Sequence, residues 1–413
     1  MIDLSINKVG LEHNIQKAKE NNIIIPTIAQ MQNPDLIPEK IKAKLSNTGL
    51  WDVDPVNLFR ISWHNEAKEK GGLFQAVPNY VEIPTKLSGV PCRIVAMSGK
   101  WFPTGCHKVG ASFGCLAPRL VTGQFDATYH HAVWPSTGNY CRGGAFNSKL
   151  LACESVAILP QDMSKERFDW LKSIAGQIIA TPGCESNVKE IFDKTWELKK
   201  DPTMMIFNQF AEMGNPLWHY NVTGYALADL FEAIKKPGQN FAGACFTSGS
   251  AGTMSAGDLL KERYPHLKLA VGEALQCPTI LDNGFGGHRI EGIGDKRLTD
   301  GFATGPAVFE DGFALGIKAV DLLDHGGELL FRGGLADGEA VEFVDDGGTP
   351  VAQAVNNRFP GGTPQDVQED AHVADTGQQV DPRIVRIAEM GNDTQQNQGG
   401  HGHNTVSGQE KRG

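Results

Sequence analysis

Phe102-Pro103-Thr104-Gly105-Cys106-His107-Lys108-Val109-Gly110-Ala111-Ser112 sets one lysine among small residues, behind a Pro-Gly turn signal and ahead of a run able to start a helix. Upstream, Pro91-Cys92-Arg93-Ile94-Val95-Ala96-Met97 is an apolar run bounded by Pro91 and Gly99, which reads as a buried strand. Lys108 then falls just past a strand end, where open α/β sheets place their ligands. An amine buried there loses its proton and becomes a nucleophile able to anchor a carbonyl cofactor. A solvated surface charge is the ordinary alternative for one lysine, so the reading depends on what the chain places around it.

Two later turns supply that surrounding. Ala127 to Val133 reads as a strand, followed by Trp134-Pro135-Ser136-Thr137-Gly138-Asn139 and then Arg142-Gly143-Gly144-Ala145, small enough to pack as a helix. A strand, a hydroxyl-rich turn and a helix start together expose backbone N–H groups to a carboxylate or phosphate, although an ordinary capped turn reads the same way. Gly243-Ala244-Cys245-Phe246-Thr247-Ser248-Gly249-Ser250-Ala251-Gly252-Thr253 is a second such cradle, with a helix from near Met254 to Arg263. Gly252 to Gly257 has the glycine spacing of a Walker loop, but Asp258 and Leu259 stand where Lys and Ser or Thr are required. No GxGxxG with a following acidic residue marks a dinucleotide site.

Between the cradles, Ser155 to Pro160 and Gln177 to Ala180 read as strands, and Ser164 caps a helix bearing Phe168, Leu171 and Ile174. Asn187 to Lys199 and Tyr225 to Ile234 read as further helices, and Lys268 to Gly272 as a strand. This alternation predicts an α/β fold with parallel sheets. The segment from Ile206 to Gly224 is dense in polar side chains for an interior. Residues 1–85 form a leading arm with helices over Leu11–Lys19 and Pro38–Ser46, docked through Trp51, Phe59, Trp63 and Phe74, and carry no evident chemistry. His64 there is a surface or packing residue.

The 413 residues include 38 Lys and Arg against 48 Asp and Glu, a net charge of −10 with no basic stripe, which excludes nucleic acid as the expected partner. The eight cysteines form no CxxC pair, suggesting neither a zinc site nor a disulfide framework but reduced thiols. Residues 1–21 lack a signal-peptide pattern and no run reaches membrane-spanning length, so a cytoplasmic location is expected.

Taken in order, these motifs resemble the fold type II pyridoxal-phosphate enzymes: cysteine synthase, cystathionine β-synthase, tryptophan synthase β chain and the serine/threonine dehydratases. The resemblance rests on Pro103 to Lys108, on Ser136-Thr137-Gly138-Asn139, and on Asn208-Gln209-Phe210 with Asn215-Pro216, His219 and Thr223-Gly224. Thr247 to Thr253 and Gly287-His288-Arg289-Ile290-Glu291-Gly292-Ile293-Gly294 complete it, over roughly residues 85 to 297. The pattern is nearest to an uncharacterised cysteine-synthase-like branch. It implies two parallel-sheet α/β subdomains with pyridoxal 5′-phosphate in the cleft between them, and roles by position. Lys108 would hold the cofactor as a Schiff base and shuttle the α-proton. Asn139 would bond the pyridine 3-oxygen. Ser136, Thr137 and Gly138, helped by Gln209, would grip the substrate carboxylate. Ser248, Gly249, Ser250, Ala251, Gly252 and Thr253 would bind the phosphate without a metal. Gly292 would line the mouth, and His107 would contact the phosphate or serve structure. A catalytic region over 86–350, a mobile subdomain near 145–200 and a homodimer are further implications.

The C-terminal part departs from the family. Ala314 to Leu323 reads as a helix and Glu328 to Arg332 as a strand, but the loop Gly333 to Gly338 offers the pyridine nitrogen only Asp337 in place of a hydroxyl; Thr299 and Thr349 are the other candidates. Residues 351–413, rich in Gln, Asn, Gly and Asp, read as a disordered polar tail, with His401 and His403 idle in it. The functional expectation is β-elimination or β-replacement on a small α-amino acid. A serine/threonine dehydratase-type lyase, a non-catalytic cofactor-binding subunit, and a flavin or nucleotide binder using the second cradle stay open.

Overall fold

The leading arm folds as short helices stopped and started by their own polar side chains. In α1 (Lys8–Glu20) the N-cap Asn7 accepts from the Gly10 amide, and α2 (Ile28–Gln32) begins with a reciprocal capping box between Thr27 and Gln30. With α3 (Glu39–Leu45), they precede a small core in which Ile37, Ile41, Leu45, Val56 and Phe59 are buried together. Trp63 enters the main core, edge-on to Phe102 with ring centroids 5.0 Å apart. Trp51 is 41% exposed, and its ring flanks the Arg142 guanidinium, which lies 5.3 Å from it and 5.2 Å from Trp170. His64 is buried, as a packing histidine.

The computed structural model describes residues 3–67, 70–136, 138–183, 188–247 and 249–278, with the backbone of four further strands at 313–315, 330–332, 341–344 and 350–354. All of them lie in the first of two compact units, Met1–Asn356.

After the arm come β1 (Tyr80–Ile83), α4 (Thr85–Ser88) and β2 (Ile94–Met97). The expected strand is present, but it is not buried. It pairs antiparallel with β1 in a two-stranded ribbon and is only partly covered, because no helix layer packs both its faces. Nor does Lys108 follow the strand directly. A 3-10 turn, Pro103–Gly105, intervenes, and Lys108 is the first residue of α5 (Lys108–Val121).

The first parallel sheet is built by β3 (His131–Pro135), α6 (Asn139–Leu150), β4 (Glu154–Pro160), α7 (Lys165–Ile174), β5 (Gln177–Thr181), α8 (Val188–Leu198) and β6 (Met204–Ile206). Its strand order is β5-β4-β3-β6, every pair parallel. β4 is buried from Ser155 to Pro160, the continuous apolar run expected where helices cover both faces of a sheet. Ser164 stands at the N-cap of α7 but makes no side-chain capping bond, so Glu166 in the first turn is what complements the helix dipole.

The chain continues through α9 (Gly214–Trp218), a π-helical turn (His219–Gly224) and α10 (Tyr225–Ile234). A second parallel sheet follows, β7 (Gly243–Thr247), a 3-10 turn (Gly252–Met254), α11 (Ser255–Arg263), β8 (Lys268–Gly272) and β9 (Phe313–Leu315), in the order β7-β8-β9. The helix expected over Ala314–Leu323 is corrected at its start: Ala314 and Leu315 pair with Val271 and Gly272, and that tertiary pairing overrides a helical pattern, while residues 316–323 lie outside the described residues. Strands β10 (Leu330–Arg332), β11 (Val341–Val344) and β12 (Pro350–Ala354) form a small antiparallel sheet. The expected tail is therefore corrected at its start, since Val351–Ala354 belong to β12 through pairing with β11; the rest of it lies outside the described residues. Among the described residues no helix is long and apolar enough to cross a membrane.

The main core brings α5 against α6 and α9. Gly110, half a turn beyond Lys108, lets the Trp218 ring lie against α5: a Cβ there would fall 2.1 Å from Trp218 Cζ2. Gly110→Ala gains about 1 kcal/mol of helix propensity, but forcing a methyl into packed ring atoms costs about 1–3 kcal/mol and more where backbone must shift. The substitution is expected to lower the urea midpoint, and an unchanged or raised midpoint would show that the contact is loose.

Candidate active site

Three segments remote in sequence meet at one amine. Lys108 Nζ donates to Gln209 Oε1 and to Ser250 Oγ, each at 3.0 Å, across separations of 101 and 142 residues. Gln209 Nε2 donates in turn to Ser136 Oγ at 3.4 Å, and the Gly138 amide donates to the same hydroxyl at 3.3 Å. Asn215, fully buried, ties two of these segments together: its Nδ2 donates to Ser250 Oγ and to the Gln209 carbonyl, both at 3.0 Å. The Ser136 turn, the Gln209 loop and the Ser250 turn are thereby joined through Lys108 in one hydrogen-bonded network.

The partners of Lys108 are neutral, and burial pushes its amine below the usual lysine value of 10.5, with the Cys106 and Cys115 thiols opposing the shift. Lys108 as a whole residue is half-buried. The neighbouring imidazoles are neutral as well. Burial, then the Lys108 charge, brings His107 down to about 3, and burial followed by His107 and Lys108 holds His219 well below its usual value. Such an amine sheds its proton more readily than a solvated lysine and is to that extent a better nucleophile.

The supporting shell is rigid. Arg119 Nη2 reaches both Glu212 oxygens at 2.8 and 2.9 Å, and its guanidinium lies 5.3 Å from the Phe207 ring, so the loop carrying Gln209 is fixed to α5 at its start and beyond. Non-glycine residues in the left-handed region stand on both sides of the amine, Thr104 (φ 65°) and Ala251 (φ 59°). Each such backbone costs about 1–3 kcal/mol and persists only where its surroundings enforce it. Gly252 is required by close approach: a Cβ there would lie 2.2 Å from Asn215 Oδ1.

Of the residues singled out from sequence, Ser136, Gly138, Gln209 and Ser250 are gathered around Lys108. Asn139 opens α6 at the same turn, while Gly249, Ala251, Gly252 and Thr253 form the turn into α11. Thr253 Oγ1 donates at 3.4 Å to the Thr247 carbonyl, back onto its own strand. Thr137, Ser248 and Gly292 lie outside the described residues, as do the Gly286–Asp295 run, Thr299, Asp337, Thr349, His401 and His403. Sequence reasoning assigned no role to Asn215 or His219, although their occurrence in a stretch too polar for an interior was the available signal. Among the described residues no three His, Cys, Asp or Glu side chains gather as a metal site.

Pyridoxal phosphate fits these residues. The amine is desolvated, the Gly249–Thr253 turn brings backbone close at a helix start, and two buried polar atoms on the elements packed against that turn, Asn215 Oδ1 and His219 Nε2, have no protein partner. No family model matches the chain. Over 163 residues it is 31% identical to cysteine synthase from Staphylococcus aureus, covering 39% of this chain and 51% of that protein. It is 30% identical over 217 residues to cystathionine beta-synthase from Apis mellifera, covering 51% of this chain and 42% of that one. The chain thus spans about half the length of the curated relatives it matches. Among solved structures, cysteine synthase from Entamoeba histolytica aligns with a TM-score of 0.51 at 20% identity, over 60% of this chain and 72% of that one, a likeness of fold. O-acetyl serine sulfhydrylase isoform 3 from the same organism aligns with a TM-score of 0.50 at 20% identity and the same coverage. This chain accordingly has the α/β fold of the type II pyridoxal-phosphate enzymes and, over the matched region, is similar in sequence to cysteine synthases and cystathionine beta-synthases.

Proposed function

We propose that the protein is a pyridoxal-phosphate enzyme catalysing β-replacement on a small α-amino acid, in the manner of a cysteine synthase. The observation that carries this reading is the desolvated Lys108 amine, bonded to Gln209 and Ser250 from two distant segments. When bound, the cofactor supplies an electron sink for charge developing at the substrate α-carbon. Lys108 would hold the cofactor, and its Nζ, when free, would take the α-proton. Gln209 orients Lys108 through Oε1 and the Ser136 hydroxyl through Nε2, so proton transfer and carboxylate binding share one side chain. Ser136, Thr137 and Gly138 receive the carboxylate, Asn139 the ring oxygen, and the residues from Ser248 to Thr253 the phosphate, with Gly292 at the mouth. The segment near 145–200 closes over the substrate to exclude water. The working assembly in this reading is a cytoplasmic homodimer, its catalytic region over 86–350.

The purified protein is expected to absorb in the visible, to bleach with borohydride, and to shift its spectrum with O-acetylserine and then return with sulfide. Lys108→Ala abolishes the covalent colour. A coloured protein indifferent to every amino acid would instead be a non-catalytic cofactor binder, and ammonia release from serine or threonine alone would favour the dehydratase. Ser250→Ala removes the hydroxyl that in this reading bonds the charged phosphate, worth about 1.5–3 kcal/mol, so cofactor retention should weaken roughly ten- to hundredfold by equilibrium dialysis.

The depressed amine also makes a stability prediction for the cofactor-free protein. Folded Lys108 binds fewer protons than unfolded Lys108 between its lowered value and the usual 10.5, so its burden on stability is fully present below that window and lifts as pH rises through it. Lys108→Met is expected to raise the urea midpoint at neutral pH, with the gain shrinking as pH approaches 10.5. A gain independent of pH would mean that the amine is not desolvated.

A further inference from the structure

Asn215 and His219 stand one helical turn apart, in α9 and in the π-helical turn that follows it, and both of these elements pack against the Gly252–Met254 turn. Asn215 touches that turn directly through Ser250. His219 is 0% exposed and its Nε2 has no partner, while its Nδ1 lies 2.9 Å from Thr223 Oγ1. That hydroxyl has a second neighbour from the leading arm: Trp63 Nε1 donates to it at 3.0 Å. Indole N–H is a donor only, so Thr223 Oγ1 must accept there.

Two proton arrangements remain for the other contact. If His219 Nδ1 carried the proton, the Thr223 hydroxyl would accept twice, and its own proton would be buried with no acceptor, at a cost of about 1–3 kcal/mol. If the hydroxyl donates to Nδ1, all three groups are paired and the imidazole proton sits on Nε2. Nε2–H is then a donor directed away from Thr223. The His107 ring lies edge-on to His219 at 5.2 Å, and Lys108 is near enough for its charge to be felt.

We propose that His219 donates a hydrogen bond from Nε2 to the phosphate seated in the Gly249–Thr253 turn, and that Trp63 and Thr223 hold it in the tautomer that can do so. The inference rests on the pyridoxal-phosphate reading for the identity of the phosphate ester, though not on any step at Lys108. Trp63 and Thr223 are positioning residues that act through His219. The leading arm thus reaches the site by hydrogen bonds, and the phosphate gains a donor whose strength does not change across the ordinary histidine titration.

Full-length protein labelled with 15N-histidine is the test, with the His219 signals identified by their loss in His219→Gln. The nitrogen shifts should report the Nε2–H form and stay constant from about pH 6 to 8, across the ordinary histidine range. With the protein freed of cofactor, addition of inorganic phosphate should move the Nε2 signal, in Lys108→Ala as in the natural chain. A failure of the covalent reading therefore leaves this result intact, and the reverse also holds. Thr223→Val should mix the tautomers and weaken retention of pyridoxal phosphate roughly tenfold, with recovery in Thr223→Ser. An Nδ1–H form, or an Nε2 signal unmoved at saturating phosphate, would overturn the proposal, and the natural chain alone gives either answer.

Discussion

Taking an ammonium out of water costs several kcal/mol even after a protein relaxes around it, and a carboxylate at hydrogen-bond distance would offset that cost by keeping the charge. At Lys108 the compensation comes from an amide oxygen and a hydroxyl, which serve a neutral amine nearly as well as a charged one. The distinction decides the chemistry. A lysine locked to a carboxylate is a structural cation, whereas one held by neutral acceptors can form and release a bond to carbon. The described surroundings keep to this rule, since His107 and His219 are both held neutral beside it.

Neutral hydrogen bonds tolerate little looseness, and the fold supplies stiffness through elements that do not touch the amine. The Arg119–Glu212 pair fixes the Gln209 loop to the helix that begins with Lys108, so donor and acceptor are set from one element. Asn215 braces Gln209 and Ser250 together from beneath, and the strained backbone at Thr104 and Ala251 is held by packing on either side. The arm, without catalytic groups of its own, contributes two aromatic anchors of different kinds: Trp63 donates to Thr223, while Trp51 and Trp170 flank the Arg142 guanidinium next to the Ser136 turn.

Much of this was legible in the order of residues. Alternating apolar runs and helical spacing located β3, β4, β5, β7 and β8 and the helices between them, because buried parallel strands must be apolar throughout and their crossover helices must be amphipathic. The lysine turn and the two cradles were legible for a similar reason: backbone approaching an anion needs small and hydroxyl-bearing residues in a contiguous stretch. Periodicity failed where long-range pairing governed. β2 has the composition of a buried strand but lies in an uncovered ribbon, and Ala314 begins a helical pattern but pairs with β8.

What the linear chain determined, then, was the kind of fold and the presence of a lysine, hydroxyls and glycines suited to one chemistry. That Lys108 is desolvated, that Gln209 rather than a carboxylate meets it, and that Asn215 and His219 stand behind the second cradle were decided only in three dimensions. The reason is physical: a pKa and an unpaired hydrogen-bonding atom are properties of surroundings, and here those surroundings come from segments 101 and 142 residues away from the lysine they serve.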